Sequence, residues 1–299
     1  MTQNTNFLEA FRKPGHWLKV ALHNHTTNSD GQLPPAEAAL FYKALGYDAF
    51  AFTDHMFYTP VEGVDAPGIT LIPGVELHGE DAARREHHHV VALGLTESMP
   101  RDHPERHTLR GMVNWVKAQG GLALAAHPHG SNLSVQSLVE AEPWGMEILS
   151  TFSDESVYWD RMLRKGKWAW GAGVDDTHQY LAGISAGVAW VMVKAEANTA
   201  ESILAALREG HFYTTNGPLF TDVRVEGNEI AVTGSPVQAI LQWDLGSGPL
   251  FESIAALGDP PGSLVTAGRF SLEKWDFFRL ELRSPNTGGR AWSQPLAFK

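Results

Sequence analysis

From Trp17 to about Gly217 the chain alternates short apolar runs with longer stretches of helical periodicity, and six of the runs carry histidine or carboxylate at one end. Such alternation is the pattern of βα units, whose strands form a buried sheet covered by the helices between them. The runs WLKVALHNH, DAFAFTDH, TLIPGVELH, HHHVVALGL, GLALAAHPH, GMEILST, WAWGAGVDDTH and GVAWVMV read as strands. PPAEAALFYKALG reads as a helix: Leu40, Phe41, Ala44 and Leu45 share one face, prolines open it and Gly46 closes it. HTLRGMVNWVKAQGG, SVQSLVEA, DESVYWDRMLRKG and TAESILAALREG repeat the pattern. The expected class is α/β, a closed or nearly closed βα barrel.

After Asn216-Gly217-Pro218 the texture changes to short alternating segments, FTDVRVEGNEIAV, AILQWDL and FFRLELRS, separated by Gly, Pro and Asn turns. These read as a small β-sandwich of about 80 residues. The expected division is therefore a barrel over 1–217 and a sandwich over 218–299, packed together because no Gly/Ser-rich linker parts them.

The composition narrows the chemistry. A formal charge of -11 disfavours a long nucleic-acid track, which needs many Lys and Arg facing phosphates, while leaving a short phosphorylated ligand open. With no cysteine, any metal must be held by nitrogen and oxygen. The opening residues lack the apolar stretch of a secretory signal, and no segment reaches the roughly 18 uninterrupted apolar residues of a membrane-crossing helix, so a cytoplasmic protein with no membrane partner is expected.

Residues two apart on a strand share a face, so His23 and His25 project together while Asn24 turns away. In GVDDTH the same rule pairs Asp176 with His178 and sends Asp175 to the other side. Further metal-type residues are Asp54 and His55, Glu76 and His78, His87 to His89, and His127 and His129. His88 faces away from His87 and His89, so the triple cannot serve one centre. In a βα barrel the strands' C-terminal ends converge on one rim, where these side chains would meet. Asp30, five residues after His25, could reach back over that rim. Lone histidines such as His16, His103, His107 and His211 read as solvated or hydrogen-bonded residues.

The motifs HNH, SDG, TDH, GVE, HVVALG, AHP and DTH, in this order from His23 to His178, resemble the polymerase and histidinol phosphatase (PHP) type of metallohydrolase. The resemblance implies a distorted barrel of about seven strands whose rim binds two or three divalent ions, Zn, Mn or Fe. It implies a first ion on His23, His25, Glu76 and Asp176, with Glu76 bridging to a second on His89 and His127. A third would take Asp30, His55 and His178. The family pattern after the second-ion histidine selects His89 over His87. TAESILAALREGHFYTTNGPLF, followed by a β unit ending FFRLELRSPNTGGRAWSQPLAF, is similar to the carbaryl-hydrolase-like branch, whose members append such a sandwich.

What this implies is a metal-dependent phosphoesterase acting on a small phosphoester, such as a phosphomonoester, a nucleotide or a short oligonucleotide end, through a hydroxide held between metals. Hydrolysis of a carboxylic ester, carbamate or amide is the alternative, motivated by the tail and the low basic content. A non-catalytic module that uses its ions structurally is the third. His78, His129 and Asp54 are candidates for acid–base work, Asp54 also for orienting a ligand imidazole.

Overall fold

A computed structural model describes residues 4–246, 252–259, 262–284 and 288–298. The apolar runs form β1 (His16–Ala21), β2 (Ala49–Ala51), β3 (Thr70–Ile72), β4 (Gly74–Asp81), β5 (Glu86–Leu93), β6 (Leu122–Ala125), β7 (Gly145–Leu149), β8 (Trp170–Gly173), β9 (Trp190–Ala195) and β10 (Phe212–Thr215). A short α1 (Asn6–Glu9) precedes them, and α2 (Pro35–Ala44), α3 (Leu109–Ala118), α4 (Val135–Ala141), α5 (Ser156–Arg164) and α6 (Ala200–Arg208) lie between them. Thr108, Ser134 and Thr199 start α3, α4 and α6 by accepting from the backbone N–H groups of Gly111, Ser137 and Ser202, donors the helix itself leaves unpaired.

The mixed α/β expectation agrees with this architecture, and the pairing shows where it departs from uniform βα units. Parallel β1-β2-β3 continues antiparallel through β9 and β10 in one sheet. In a second sheet β4-β5-β6 is antiparallel and β6-β7-β8 parallel. The reversal at β4–β5 follows from chain length: residues 82–85 make a hairpin link far too short for the crossover a parallel pair needs. Isolated bridges connect the sheets, His55 to Glu76 beyond β2 and Asn24 to Thr177 beyond β1 and β8. Both bridges lie among the histidines and carboxylates, and the sheets also meet through β10 and β8, where the Thr214 hydroxyl donates to the Gly171 carbonyl.

The C-terminal strands are β11 (Phe220–Glu226), β12 (Glu229–Val237), β13 (Ala239–Asp244), β14 (Glu252–Leu257), β15 (Val265–Ser271), β16 (Phe277–Ser284), β17 (Gly289–Trp292) and β18 (Leu296–Ala297). They do not all keep to sheets of their own: β17 pairs with β10, so one sheet runs from β14 through β13, β16, β17, β10, β9 and β1 to β3. Against it β11-β12-β15 packs over a core that includes Val223, Ile230, Val232, Ile240, Phe278 and Leu280. The Pro-Asn-Thr stretch after Ser284 lies outside the described residues. No helix among the described residues is long and apolar enough to cross a membrane.

Candidate metal centre

The chain just past β1 supplies His23 and His25, and the segment past β2 supplies His55. β4 supplies Glu76 and His78, β5 supplies His89, and the segments past β6 and β8 supply His127, Asp176 and His178. Antiparallel register sets His78 directly opposite His89, and their rings stack 3.9 Å apart at 7°. Alternation buries Val75 and Leu77 in the apolar core and turns Glu76 and His78 the other way.

Glu76 is fully buried and is the hub. Its Oε1 lies 2.9 Å from His89 Nδ1, 3.2 Å from His127 Nε2 and 3.5 Å from His23 Nε2. Its Oε2 lies 2.5 Å from His55 Nδ1, 3.4 Å from His78 Nε2 and 3.6 Å from His25 Nε2. Asp176 Oδ1 stands 3.1 Å from His25 Nε2 and 3.3 Å from His23 Nε2. Farther out, Asp30 Oδ1 is 3.4 Å from both His55 Nε2 and His178 Nε2. The four groupings with ligand-type geometry are His23-His25-Asp176, Glu76-His89-His127, His25-Asp30-His55-His178 and His55-Glu76-His78.

Electrostatics reinforce the geometry. Burial is the largest influence on Glu76 and opposes its charge, yet the surrounding imidazoles outweigh it and hold the pKa well below the usual carboxylate range. Asp176 is lowered likewise against burial, chiefly by His23 and His25. Burial pulls His25 down to about 4, whereas at His127 the carboxylates of Glu76 and Glu147 overcome burial and push the pKa up to about 8. A sign follows for metal uptake. Without metal His127 is mostly protonated at pH 7, and an ion needs its lone pair, so loading must expel the proton. Calorimetric titration of chelator-stripped protein with Zn²⁺ in buffers of different ionisation enthalpy should show net proton release at pH 7 that is smaller at pH 9. Equal release at both pH values would contradict this assignment.

All nine residues for which ligation is expected, His23, His25, Asp30, His55, Glu76, His89, His127, Asp176 and His178, enter these groupings, and His78 joins them. Asp175 points away from the hub, as expected, although it lies past the end of β8; it accepts from Tyr42 Oη–H and from the amides of Gly187, Val188 and Ala189. His87 is exposed, and buried His88 faces Arg106, whose carbonyl lies 3.0 Å from its Nε2. His129 is exposed with its ring near Tyr158 and enters none of the groupings. Asp54 is buried and engaged elsewhere: its oxygens accept from the Thr26 amide and hydroxyl and from the Ser29 and Thr59 hydroxyls. It braces the loop that presents Asp30 rather than facing the hub. A carboxylate that sequence reasoning missed is Glu147, fully buried on β7, with Oε1 2.6 Å from His23 Nδ1. Its one signal is a charge inside the apolar run GMEIL.

The donor set fits divalent cations. Pairs of imidazole Nε2 atoms converge, His23 with His25 at 3.1 Å and His55 with His178 at 3.3 Å, alongside carboxylate oxygens. Hydrogen bonds alone cannot satisfy so many lone pairs, and no Lys or Arg pairs with Glu76 or Asp176 among the described residues. Nitrogen and oxygen donors without thiolate suit Zn, Mn or Fe(II). His127 (φ 25°) and Asp176 (φ 52°) hold left-handed backbone conformations that cost energy for side chains of this kind, as is common where a site dictates geometry.

No protein-family model and no curated protein matches the sequence. Among solved structures the chain is similar to a two-domain protein from Bacteroides vulgatus containing a predicted PHP-like metal-dependent phosphoesterase. Identity is 16% over 95% of this chain and 88% of that one, with a TM-score of 0.53, which shows a shared fold. A Chromobacterium violaceum amidohydrolase with bound sulfate and no metal aligns over 56% of this chain and 89% of its own at 17% identity and TM-score 0.47. A candidate metal-dependent phosphoesterase from Bifidobacterium adolescentis covers 53% and is itself 87% covered, at 16% identity and TM-score 0.42.

Proposed function

We propose that the protein is a PHP-type metal-dependent hydrolase that cleaves a phosphoester of a small molecule, using two or three divalent ions. The observation that carries this reading is the convergence of His23, His25, Asp30, His55, Glu76, His89, His127, Asp176 and His178 on neighbouring centres that share the Glu76 carboxylate. The fold shared with the Bacteroides vulgatus protein supports it.

Divalent ions bound there would acidify water and neutralise charge growing on phosphoryl oxygens. The chain's own residues do the rest. Glu76 and Asp176 set the negative charge that balances the cations, and their low pKa values keep them ionised across the physiological range. His78 stands at the boundary between the hub and an open depression lined by His78, Glu80, His87, His89, Arg106 and His107 among others. Its Nε2 is turned toward the hub, 2.6 Å from His55 Nδ1 and 3.4 Å from Glu76 Oε2, so the acid–base role proposed for it is to exchange a proton with a group bound at the hub. Arg106 is anchored by Nε to the His78 carbonyl at 2.8 Å and by Nη1 to the Arg101 carbonyl, and it has no carboxylate within ion-pair distance among the described residues, which suits its remaining N–H groups to meet a phosphoryl group.

A second reading has its own observation. Phe57, Leu181 and Ile184 are exposed and follow His55 and His178 by two to six residues in the chain, so the segments that carry these histidines also present apolar side chains to solvent. That favours an aryl ester or carbamate, as in the carbaryl-hydrolase-like branch. Purified protein should release p-nitrophenol from p-nitrophenyl phosphate, lose that activity with chelator and regain it with Mn²⁺ or Zn²⁺. Faster turnover of p-nitrophenyl acetate or an aryl carbamate would put the second reading first, and metal uptake with no turnover of either class would leave a binding module.

A further inference from the structure

We propose that Glu147 is a positioning residue that orients one imidazole of each of two metal groupings, His23 and His127, with its two carboxylate oxygens. The proposal rests on the metal centre above and goes beyond its ligands. β7 carries Glu147 between Met146 and Ile148, both fully buried, and the Glu147 side chain is itself almost wholly out of solvent. A carboxylate in such a place is costly unless its oxygens are matched by donors. No Lys or Arg pairs with it among the described residues; the donors are an imidazole and an amide. For packing alone an apolar side chain would serve this position better, so the carboxylate calls for another reason.

Each oxygen supplies one. Oε1 accepts from His23 Nδ1–H at 2.6 Å, which places the proton on Nδ1 and leaves the Nε2 lone pair aimed at the space shared with His25 Nε2, Asp176 Oδ1 and Glu76 Oε1. An imidazole that donates its far N–H to a carboxylate is fixed in tautomer and orientation and becomes a more basic ligand. Oε2 accepts from the backbone N–H of His127 at 2.7 Å. His127 holds φ 25°, a conformation that its own sterics oppose, and this bond helps hold it there. From that backbone the ring reaches Glu76 Oε1 with Nε2 while Nδ1 rests 3.0 Å from Ser131 Oγ. One buried group thereby links the ends of β1 and β6, and His23-His25-Asp176 with Glu76-His89-His127.

Glu147→Gln tests the link, because an amide keeps the shape but offers only one acceptor oxygen for two donors. Chelator-stripped wild type and variant are titrated with Mn²⁺ by calorimetry, with thermal melts of both metal-free forms as the measure of folding. The expected result is similar melting but affinity for the tighter ions reduced by roughly 10- to 100-fold, with kcat falling and KM for p-nitrophenyl phosphate little changed. Wild-type affinity in every step would overturn the proposal while leaving the metal centre intact. A wild type that takes up no Mn²⁺ or Zn²⁺ would overturn both. Should the variant fail to fold, ¹⁵N-histidine NMR of the Zn²⁺-loaded wild type decides: a proton retained on His23 Nδ1 with zinc at Nε2 supports the arrangement, and zinc at Nδ1 overturns it.

Discussion

Glu76→Gln is expected to lower kcat for metal-supported phosphoester hydrolysis by roughly 10³-fold or more, about 4 kcal/mol of transition-state stabilisation, while the protein stays folded. Six imidazoles from five segments approach the two oxygens of this buried side chain, at 2.5 to 3.6 Å. A glutamine retains the volume but gives up the charge, and its amide nitrogen turns a donor toward lone pairs that need a cation. Any ions held by the proposed centre would lose the negative charge that Glu76 supplies to the groupings around it. Metal content should fall with the rate, and measuring both by elemental analysis and steady-state kinetics tells loss of ions from loss of chemistry. Activity within tenfold of wild type at saturating Mn²⁺ would mean that Glu76 is not the shared ligand.

That such a hub could be anticipated at all comes from the two-residue period of a strand. The rule that pairs His23 with His25 also separates Asp176 from Asp175; the structure puts these residues just past β1 and β8 rather than in them, with Asp176 at φ 52°, yet Asp175 is still turned aside and held by Tyr42 and three backbone amides. It separates His88 from His87 and His89, but it cannot choose between those two, which share a face. That choice is made by the register of β4 against β5, with His89 opposite His78, two positions from Glu76. Register in turn depends on the hairpin at 82–85, whose residues Ala-Ala-Arg-Arg carry no Asn-Gly or Asp-Gly signal; Arg85 adopts φ 56° without one. Asp54 looked like part of the chemistry because it adjoins His55, and only the threonine and serine donors around it show a brace for the 26–31 loop. Glu147 was harder still, since its partners lie 124 and 20 residues away and no local pattern announces them. The same holds for β10 and β17, whose pairing joins segments about 75 residues apart across the change of texture at Gly217.

Arg279→Met is expected to cost about 3–5 kcal/mol of stability, the largest effect of any single replacement away from the metal centre. Arg279 on β16 donates Nε and Nη2 to the two oxygens of Asp160 on α5, at 2.7 and 2.8 Å, with both side chains almost wholly buried. Its guanidinium also lies 5.0 Å from the Trp243 ring centre, and Trp243 Nε1–H donates to Glu281, the second carboxylate beside Arg279. Desolvating such charges is expensive, and their attraction repays it only while every partner is present. Methionine would fill most of the space and strand Asp160 as a buried charge facing nothing positive among the described residues, while Glu281 would keep Arg283, whose Nε lies 2.8 Å from its Oε1. Because α5 belongs to the helices around the metal-bearing strands and β16 to the C-terminal strands, the damage falls on their contact rather than on the histidine cluster. Urea unfolding should therefore show a large fall in midpoint, while the metal affinity of the folded fraction is unchanged. The double replacement Arg279→Met with Asp160→Leu should recover part of the loss, since it removes one stranded charge along with its partner. A loss below about 1 kcal/mol for the single variant would show that water reaches the pair and solvates what remains.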